Sequence, residues 1–168
     1  LERRIGGVRA GSAGFAWYVG PVGERLLRDR HPESKAGRRN YREPSRLFVE
    51  HTLAVAELAV QTIEAARSGS FEVVQIVTEP GNWQQSLSPH GTIQWLKPDL
   101  RLVTATREEE CHWYIEVDLA TEHLPVIERQ RLAYQTFRLT GRYQAVHGIF
   151  PIVLWVTPSE PRAAAIRA

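Results

Sequence analysis

The sequence predicts an α/β fold, because segments with helical periodicity alternate with apolar runs that are typical of strands. Residues 44–67 contain helix formers throughout and stop before a Ser-Gly pair. Three strand-like segments follow, and then come a second helix over residues 124–139 and an apolar, β-rich run over residues 149–156. From residue 44 the predicted order is therefore helix, three strands, helix, strand, with a terminal helix after Pro158.

The composition is that of an ordinary globular domain. A chain of 168 residues with 43% apolar and 24% charged residues can bury one substantial core. It has no apolar run of membrane-spanning length, no signal-peptide pattern and one cysteine, Cys111. We therefore expect a soluble, cytoplasmic protein without a membrane partner. The chain begins at Leu1 and lacks methionine, which leads us to expect a missing N-terminal portion.

The first part of the chain predicts a β-hairpin. Two short extended runs, residues 3–9 and 15–19, flank a glycine-containing turn. A short helix is expected near residues 24–29, and a polar stretch follows it. The predicted organisation is a hairpin and helix, a basic linker and an α/β domain, over residues 1–30, 31–43 and 44–168.

Basic residues crowd around this linker, although the net charge of the chain is only +2. Four acidic residues lie among them, so a solvated linker is at least as consistent with the pattern as a phosphate-binding strip. If the segment binds nucleic acid, the candidates are Arg38, Arg39 and Arg42.

The helix predicted over residues 44–67 has a wide apolar side. Its polar residues are confined to one stripe that contains Glu50, Glu57, Gln61 and Glu64. We therefore expect the helix to be buried on most of its circumference. The next strand is expected over residues 71–78, and a long irregular connection over residues 79–97.

Residues 99–106 and 111–118 form a hairpin signal around a polar tip of four residues. If the hairpin closes symmetrically over that tip, four charged side chains share one face of the sheet. The predicted facing pairs are Thr106 with Cys111, Arg101 with Glu116, and Asp99 with Asp118.

Two facing carboxylates repel each other unless a cation lies between them. Mg²⁺, or Mn²⁺ in its place, would supply that charge and could also polarise a phosphodiester and activate a water. The alternative is that Arg101 pairs with Glu116, Asp118 caps the following turn, and Asp99 only begins a strand. The residues alone support the metal site and the ordinary ion pairs equally.

Several short segments, in the same order along the chain, resemble the motifs of the replication-relaxation family of plasmid and mobile-element proteins. Residues 96–100, 115–122 and 148–151 are similar to its PD, ExD-x-x-TE and G-[VI]-FP motifs. Residues 47–53 resemble its first-helix signature, and residues 6–14 resemble the wing of its N-terminal winged helix. The implied fold is a PD-(D/E)xK restriction-endonuclease-like αβββαβ core, with the N-terminal hairpin as the remnant of a winged helix.

The resemblance implies a DNA-processing role in plasmid replication, relaxation or mobilisation, as a metal-dependent nickase or endonuclease-like domain. Asp99 and Glu116 would bind the metal with the help of Glu50. Asp118 takes the place of the signature lysine, and Gln130 stands where relatives supply a lysine from the second helix. DNA is the expected partner, and a homodimer would suit a symmetric DNA site.

Gln130 cannot supply the positive charge that stabilises a developing phosphorane. Lys97, Arg101, Arg129 or Arg131 would have to replace it, and the last two are also candidates for DNA binding. The alternative function is a degenerate nuclease fold that binds DNA or acts as a scaffold. Tyr134 is expected to pack against the sheet rather than to act as a nucleophile.

Overall fold

A computed structural model describes residues 2–4, 15–17, 19–30, 44–88 and 90–168. The chain divides into two compact units, Leu1–Thr52 and Leu53–Ala168.

The first unit contains the predicted hairpin. Strand β1 (Glu2–Arg4) pairs antiparallel with β2 (Phe15–Trp17), and helix α1 (Pro21–Arg30) follows. The pairing of the two runs is thus confirmed, whereas their identity as a winged-helix remnant stays a prediction. The predicted basic linker, with Arg38, Arg39 and Arg42, lies outside the described residues.

Helix α2 (Arg46–Ala66) begins in the first unit and ends in the second. The Ser45 hydroxyl accepts a hydrogen bond from the Phe48 N–H at 3.2 Å, which caps the helix start. Gly69, with a φ of +83°, follows the helix end. The expectation of burial around most of the circumference was wrong, because Val55 is its one fully buried residue. The reason is that a single side of the helix, with Ala54, Val55 and Leu58, packs on the sheet.

Strand β3 (Glu72–Thr78) follows α2, and a second hairpin comes after it. This hairpin consists of β4 (Gln84–Leu87) and β5 (Ile93–Leu96), which pair antiparallel. The prediction of a wholly irregular connection over residues 79–97 was therefore wrong. The two strands are only four residues long, and their sequences lack the β-branched alternation that identifies a strand.

The main sheet has four strands in the order β3-β6-β7-β8, where β6 is Leu100–Ala105, β7 is Glu110–Val117 and β8 is Ile152–Val156. Strands β3 and β6 pair antiparallel, as do β6 and β7, whereas β8 runs parallel to β7. This mixed sheet confirms the α/β class. Apart from the small hairpin and a short helix, the elements follow the predicted order of helix, three strands, helix and strand.

The register of β6 on β7 differs from the prediction. Thr104 faces Cys111, and Arg101 faces Tyr114 instead of Glu116. The turn closes one residue earlier than symmetry suggested. The reason is that the Thr106 hydroxyl accepts hydrogen bonds from the N–H groups of Glu108 and Glu109, each at 3.2 Å. The register moves by two residues, so the predicted Asp99–Asp118 and Arg101–Glu116 pairs were wrong. An even shift keeps each side chain on its predicted face.

Helices α3 (Leu124–Leu139), α4 (Arg142–His147) and α5 (Glu160–Arg167) complete the second unit. Gly148 ends α4 with a φ of +75°, a conformation that favours glycine, and Phe150 then packs into the core. One face of the sheet packs on α2 through Leu100, Leu102, Ile115 and Val117. The other face packs on α3 and α4 through Tyr114, Tyr134, Phe137 and Tyr143.

Candidate active site

Asp99 and Glu116 are neighbours on the face of the sheet that packs on α3. Asp99 immediately precedes β6, whose first residue, Leu100, pairs with Ile115. The register therefore brings Asp99 beside Glu116. Asp99 Oδ2 accepts a hydrogen bond from the Val117 N–H at 2.7 Å, which fixes this carboxylate at the end of β7.

Glu116 is a buried carboxyl group, with 7% of its surface exposed. Burial and, next, the charge of Asp99 raise its pKa to about 8, and the charges of Glu122 and Glu79 add smaller effects in the same direction. The hydroxyl of Tyr134 donates a hydrogen bond to Glu116 Oε1, which opposes this rise in pKa. At pH 7 this carboxyl is therefore mostly protonated.

Tyr134 is positioned by helix α3 and by its aromatic neighbours. Its ring lies 5.8 Å from Tyr114 and 5.8 Å from Trp155, measured between centroids. Burial, together with the charge of Glu116, raises the pKa of its phenol above the ordinary value. The phenol thus stays protonated and acts as a donor. Tyr134 packs against the sheet as expected, but its bond to Glu116 was not predicted from the sequence. The available signal was its place on the inner face of α3.

Asp118 is engaged away from this pair. Arg162, on α5, donates to both of its oxygens, from Nε to Oδ2 at 2.6 Å and from Nη2 to Oδ1 at 3.1 Å. The Ala120 N–H also donates to Oδ1 at 3.1 Å. Asp118 therefore caps the turn after β7, as the alternative interpretation expected, and it also ties that turn to α5. The other part of that alternative, the Arg101–Glu116 pair, was wrong.

The cationic side chains that were expected near the carboxylates have contacts of their own. Lys97 Nζ stands 4.1 Å from the centroid of the Trp83 ring, an arrangement that stabilises the ammonium group there. Arg101 acts on Tyr143 and His147. Burial raises the pKa of Tyr143, and the charge of Arg101 opposes that rise. Burial, then His112 and then the charge of Arg101 lower the pKa of His147. Neither cation is an ion-pair partner of Glu116 within the described part of the chain.

Gln130 occupies the inner side of α3, one turn before Tyr134. Its Oε1 atom is buried and has no hydrogen-bond partner among the described residues. A buried amide oxygen of this kind costs free energy unless a donor or a cation meets it. Gln130 Oε1 is therefore a buried acceptor that a hydrogen-bond donor or a cation would stabilise.

The remaining predicted residues fall into three places. Glu50 lies in the first unit, where it accepts a hydrogen bond from Arg46 Nε at 2.6 Å, and its role at a metal stays a prediction. Arg131 donates to Glu128 Oε2 at 3.1 Å on the surface of α3. Arg129 lines a cavity between α3 and the β4–β5 hairpin.

No group of three His, Cys, Asp or Glu side chains has the geometry of a metal site in the residues that can be described. His112 has both ring nitrogens engaged, Nδ1 with the Tyr143 hydroxyl and Nε2 with Glu110 Oε1, each at 2.7 Å. The Asp99–Glu116 pair is thus the arrangement of described residues that is best suited to chemistry. Two carboxylates suffice for Mg²⁺, which usually keeps several waters and takes its other ligands from substrate phosphates.

A protein-family model described as replication-relaxation matches residues 1–153, which is nearly the whole chain. Comparisons with curated proteins and with solved structures give no match. Among the helices of the described residues, none has both the length and the apolar character that crossing a membrane requires.

Proposed function

The chain belongs to the replication-relaxation family, and from that premise we propose that its α/β domain is a metal-dependent DNA nickase or endonuclease-like domain of the PD-(D/E)xK type. Family membership indicates a role in plasmid or mobile-element DNA processing. The observation that carries the finer proposal is the placement of Asp99 beside the buried Glu116, whose pKa is raised to about 8. Perturbed carboxyl groups of this kind are frequent in sites of catalysis.

The topology supports the nuclease assignment. Asp99 precedes the second strand of the main sheet in chain order, and Glu116 lies near the end of the third. These two strands are the central pair of the sheet. The PD and ExD segments of the sequence therefore supply the two adjacent carboxylates that the proposed type of site requires.

The residues present fit a divalent cation. Asp99 raises the pKa of Glu116 because two negative charges would stand close together in a buried place. A cation removes that repulsion, and the buried Gln130 Oε1, which has no partner in the described residues, is a further oxygen on the inner face of α3. Carboxylate and amide oxygens are the ligand types that Mg²⁺ and Mn²⁺ take in proteins.

The chain's own residues have distinct roles in this proposal. Asp99 and Glu116 would hold the cation, and the chemistry it would supply there is positive charge for a phosphodiester and a lower pKa for a bound water. The Tyr134 hydroxyl holds Glu116 Oε1 in place, so it is a positioning residue. Gln130 orients a water, and Asp118 holds the turn after β7 through Arg162.

A nicking assay on supercoiled plasmid, with Mg²⁺ or Mn²⁺, tests the proposal. We expect the wild type to convert supercoiled DNA to open circles, and we expect Asp99→Asn and Glu116→Gln to abolish the conversion. Glu108→Gln is the matched control, because it removes an acid from the exposed tip of the β6–β7 hairpin. Metal-dependent nicking that survives in Asp99→Asn would contradict the assignment.

A second function is favoured by the absence of a lysine at position 130. Gln130 carries no charge, and Lys97 contacts Trp83, so the positive charge at the transition state would have to come from the metal or from a nearby arginine. A nuclease fold retained for binding DNA or for scaffolding would have this composition. It predicts an inactive wild type that gains nicking activity in Gln130→Lys, whereas the first proposal predicts activity without that change.

A further inference from the structure

A cavity of about 350 Å³ lies between helix α3 and the β4–β5 hairpin, beside the candidate site but separate from it. Trp95, Gln94 and Leu96 line it from the hairpin, and Arg129, Ala133 and Thr136 line it from α3. Neither Asp99 nor Glu116 is among its lining residues. Its volume is at the small end of the range for ligand sites, which suits one planar ring and excludes the width of a duplex.

The aromatic wall of this cavity is exposed. Trp95 keeps 50% of its surface accessible, although a tryptophan is normally among the most buried residues. Its ring meets the edge of Trp83 at a centroid distance of 6.2 Å, and Trp83 in turn carries the Lys97 ammonium group at 4.1 Å. The hairpin thus presents an exposed indole that is in edge-type contact with a second indole, and this second indole carries the Lys97 ammonium group.

The charged wall is formed by Arg129. This arginine takes part in no hydrogen bond or ion pair within the described residues, whereas Arg131, two positions later, donates to Glu128 at 3.1 Å. The residues that line the cavity include no acid, and the polar side chains of Ser86, Gln94 and Thr136 can donate and accept hydrogen bonds. The ligand that matches these walls is flat, hydrogen-bonding and negatively charged.

We propose that this groove, between Trp95 and Arg129, binds an unpaired DNA strand, with a base stacked on Trp95 and a backbone phosphate at Arg129. Stacking on an aromatic side chain beside a cation is the general means of binding single strands without regard to sequence. The choice of DNA as the ligand rests on the proposed function. The groove adds that the DNA held by the domain is single-stranded.

The groove lies close to the carboxylates along both of its walls. Leu96 lines it and precedes Asp99 by three residues, so their Cα atoms are separated by at most about 11 Å. On the other wall Ala133 is followed by Tyr134, which bonds Glu116. A strand held in the groove would therefore leave it near the Asp99–Glu116 pair.

Fluorescence anisotropy with a labelled oligothymidine of roughly 15 nucleotides tests the proposal. The full chain is titrated in EDTA, so that binding is measured without the metal and without cleavage. We expect the wild type to bind the single strand more tightly than a duplex of the same length. We expect Trp95→Ala and Arg129→Ala each to weaken single-strand binding by roughly fivefold or more, whereas Trp95→Phe retains most of it.

Two control variants share the chemistry of the changes but lie outside the groove. Arg138→Ala removes an exposed arginine from the same helix, and Ile93→Ala removes an exposed apolar side chain from the same hairpin. The proposal is overturned if the wild type does not bind the single strand, if the controls lose as much affinity as the groove variants, or if duplex affinity falls equally. If Trp95→Ala fails to fold, the single-strand affinities of Trp95→Phe and Arg129→Ala still test the proposal.

The same variants separate this proposal from the nickase. Loss of strand binding in Trp95→Ala and Arg129→Ala, together with no nicking by the wild type, would support the groove and overturn the metal-dependent reaction. Nicking that depends on Asp99, together with unchanged strand binding in both groove variants, would support the reaction and overturn the groove.

Discussion

The Tyr134 hydroxyl, on helix α3, donates a hydrogen bond to the buried Glu116 carboxyl on strand β7. This bond joins the helix to the central strand of the sheet at the point where Asp99 approaches Glu116. A neutral Glu116 accepts it at pH 7, and an ionised Glu116 would accept it more strongly. The protonation state of one carboxyl group therefore affects both the packing of α3 and the chemistry available at the site.

Replacing Glu116 by glutamine should change how stability depends on pH. The pKa of Glu116 is about 8 in the folded chain against an ordinary 4.5, so between these values the folded state keeps a proton that the unfolded chain releases. The contribution of this group to the free energy of unfolding is therefore fully present below pH 4.5 and falls as the pH rises toward about 8. Glutamine does not ionise, so Glu116→Gln should lack this fall.

Urea unfolding at pH 5.5 and at pH 9, in EDTA, measures the effect. We expect Glu116→Gln to gain stability relative to the wild type at the higher pH, by several kcal/mol at about 1.4 kcal/mol per pKa unit. Glu108→Gln, at the exposed hairpin tip, should follow the wild type at both pH values. Equal differences between Glu116→Gln and the wild type at the two pH values would show that the Glu116 pKa is not raised.

Replacing Tyr134 by phenylalanine should raise the pKa of Glu116 further, because the hydroxyl bond is the influence that lowers it. The buried carboxyl also loses its donor, which should cost about 1–3 kcal/mol of stability. A carbon-13 NMR titration of labelled glutamate side chains follows the pKa directly. Tyr143→Phe is the matched control, since that hydroxyl bonds His112 rather than Glu116. A lower Glu116 pKa in Tyr134→Phe would contradict the assigned bond.

Replacing Arg162 by alanine should destabilise the second unit strongly. The Asp118 side chain is only 3% exposed, and removal of Arg162 leaves its carboxylate buried without its ion-pair partner. Loss of a partner that leaves a buried carboxylate unpaired costs considerably more than loss of a surface ion pair. Arg46→Ala breaks the more exposed Arg46–Glu50 pair, for which about 0–1 kcal/mol is expected. Chemical unfolding of the two variants compares them, and equal losses would argue against a structural role for Asp118.

The order of the elements could be predicted from the sequence because the helices and the central strands carry strong periodic signals. The face shared by Arg101 and Glu116 was also predicted, since alternation along a strand tolerates a register error of two residues. The register itself depended on the Thr106 hydroxyl, whose bonds to the turn could not be read from the strand pattern. The β4–β5 hairpin was missed because neither strand carries a β-rich pattern.

The site could be predicted in part. Asp99 and Glu116 were identified as a candidate pair from their motifs, but their mutual proximity required the observed register. The partner of Asp118 was missed because Arg162 lies 44 positions further along the chain. The contact of Lys97 with Trp83 was missed because the strand pattern does not show it, and the expected position of Lys97 near Asp99 stays a prediction.

The most direct test of the account is a calorimetric titration of Mn²⁺ into the protein at pH 7, in two buffers of different ionisation enthalpy. The wild type should bind the cation and release nearly one proton, because Glu116, with a pKa of about 8, must ionise to become a ligand. Asp99→Asn should weaken binding by at least roughly tenfold. If the wild type shows no binding, or if Asp99→Asn binds Mn²⁺ as tightly as the wild type, the Asp99–Glu116 pair is not a metal site.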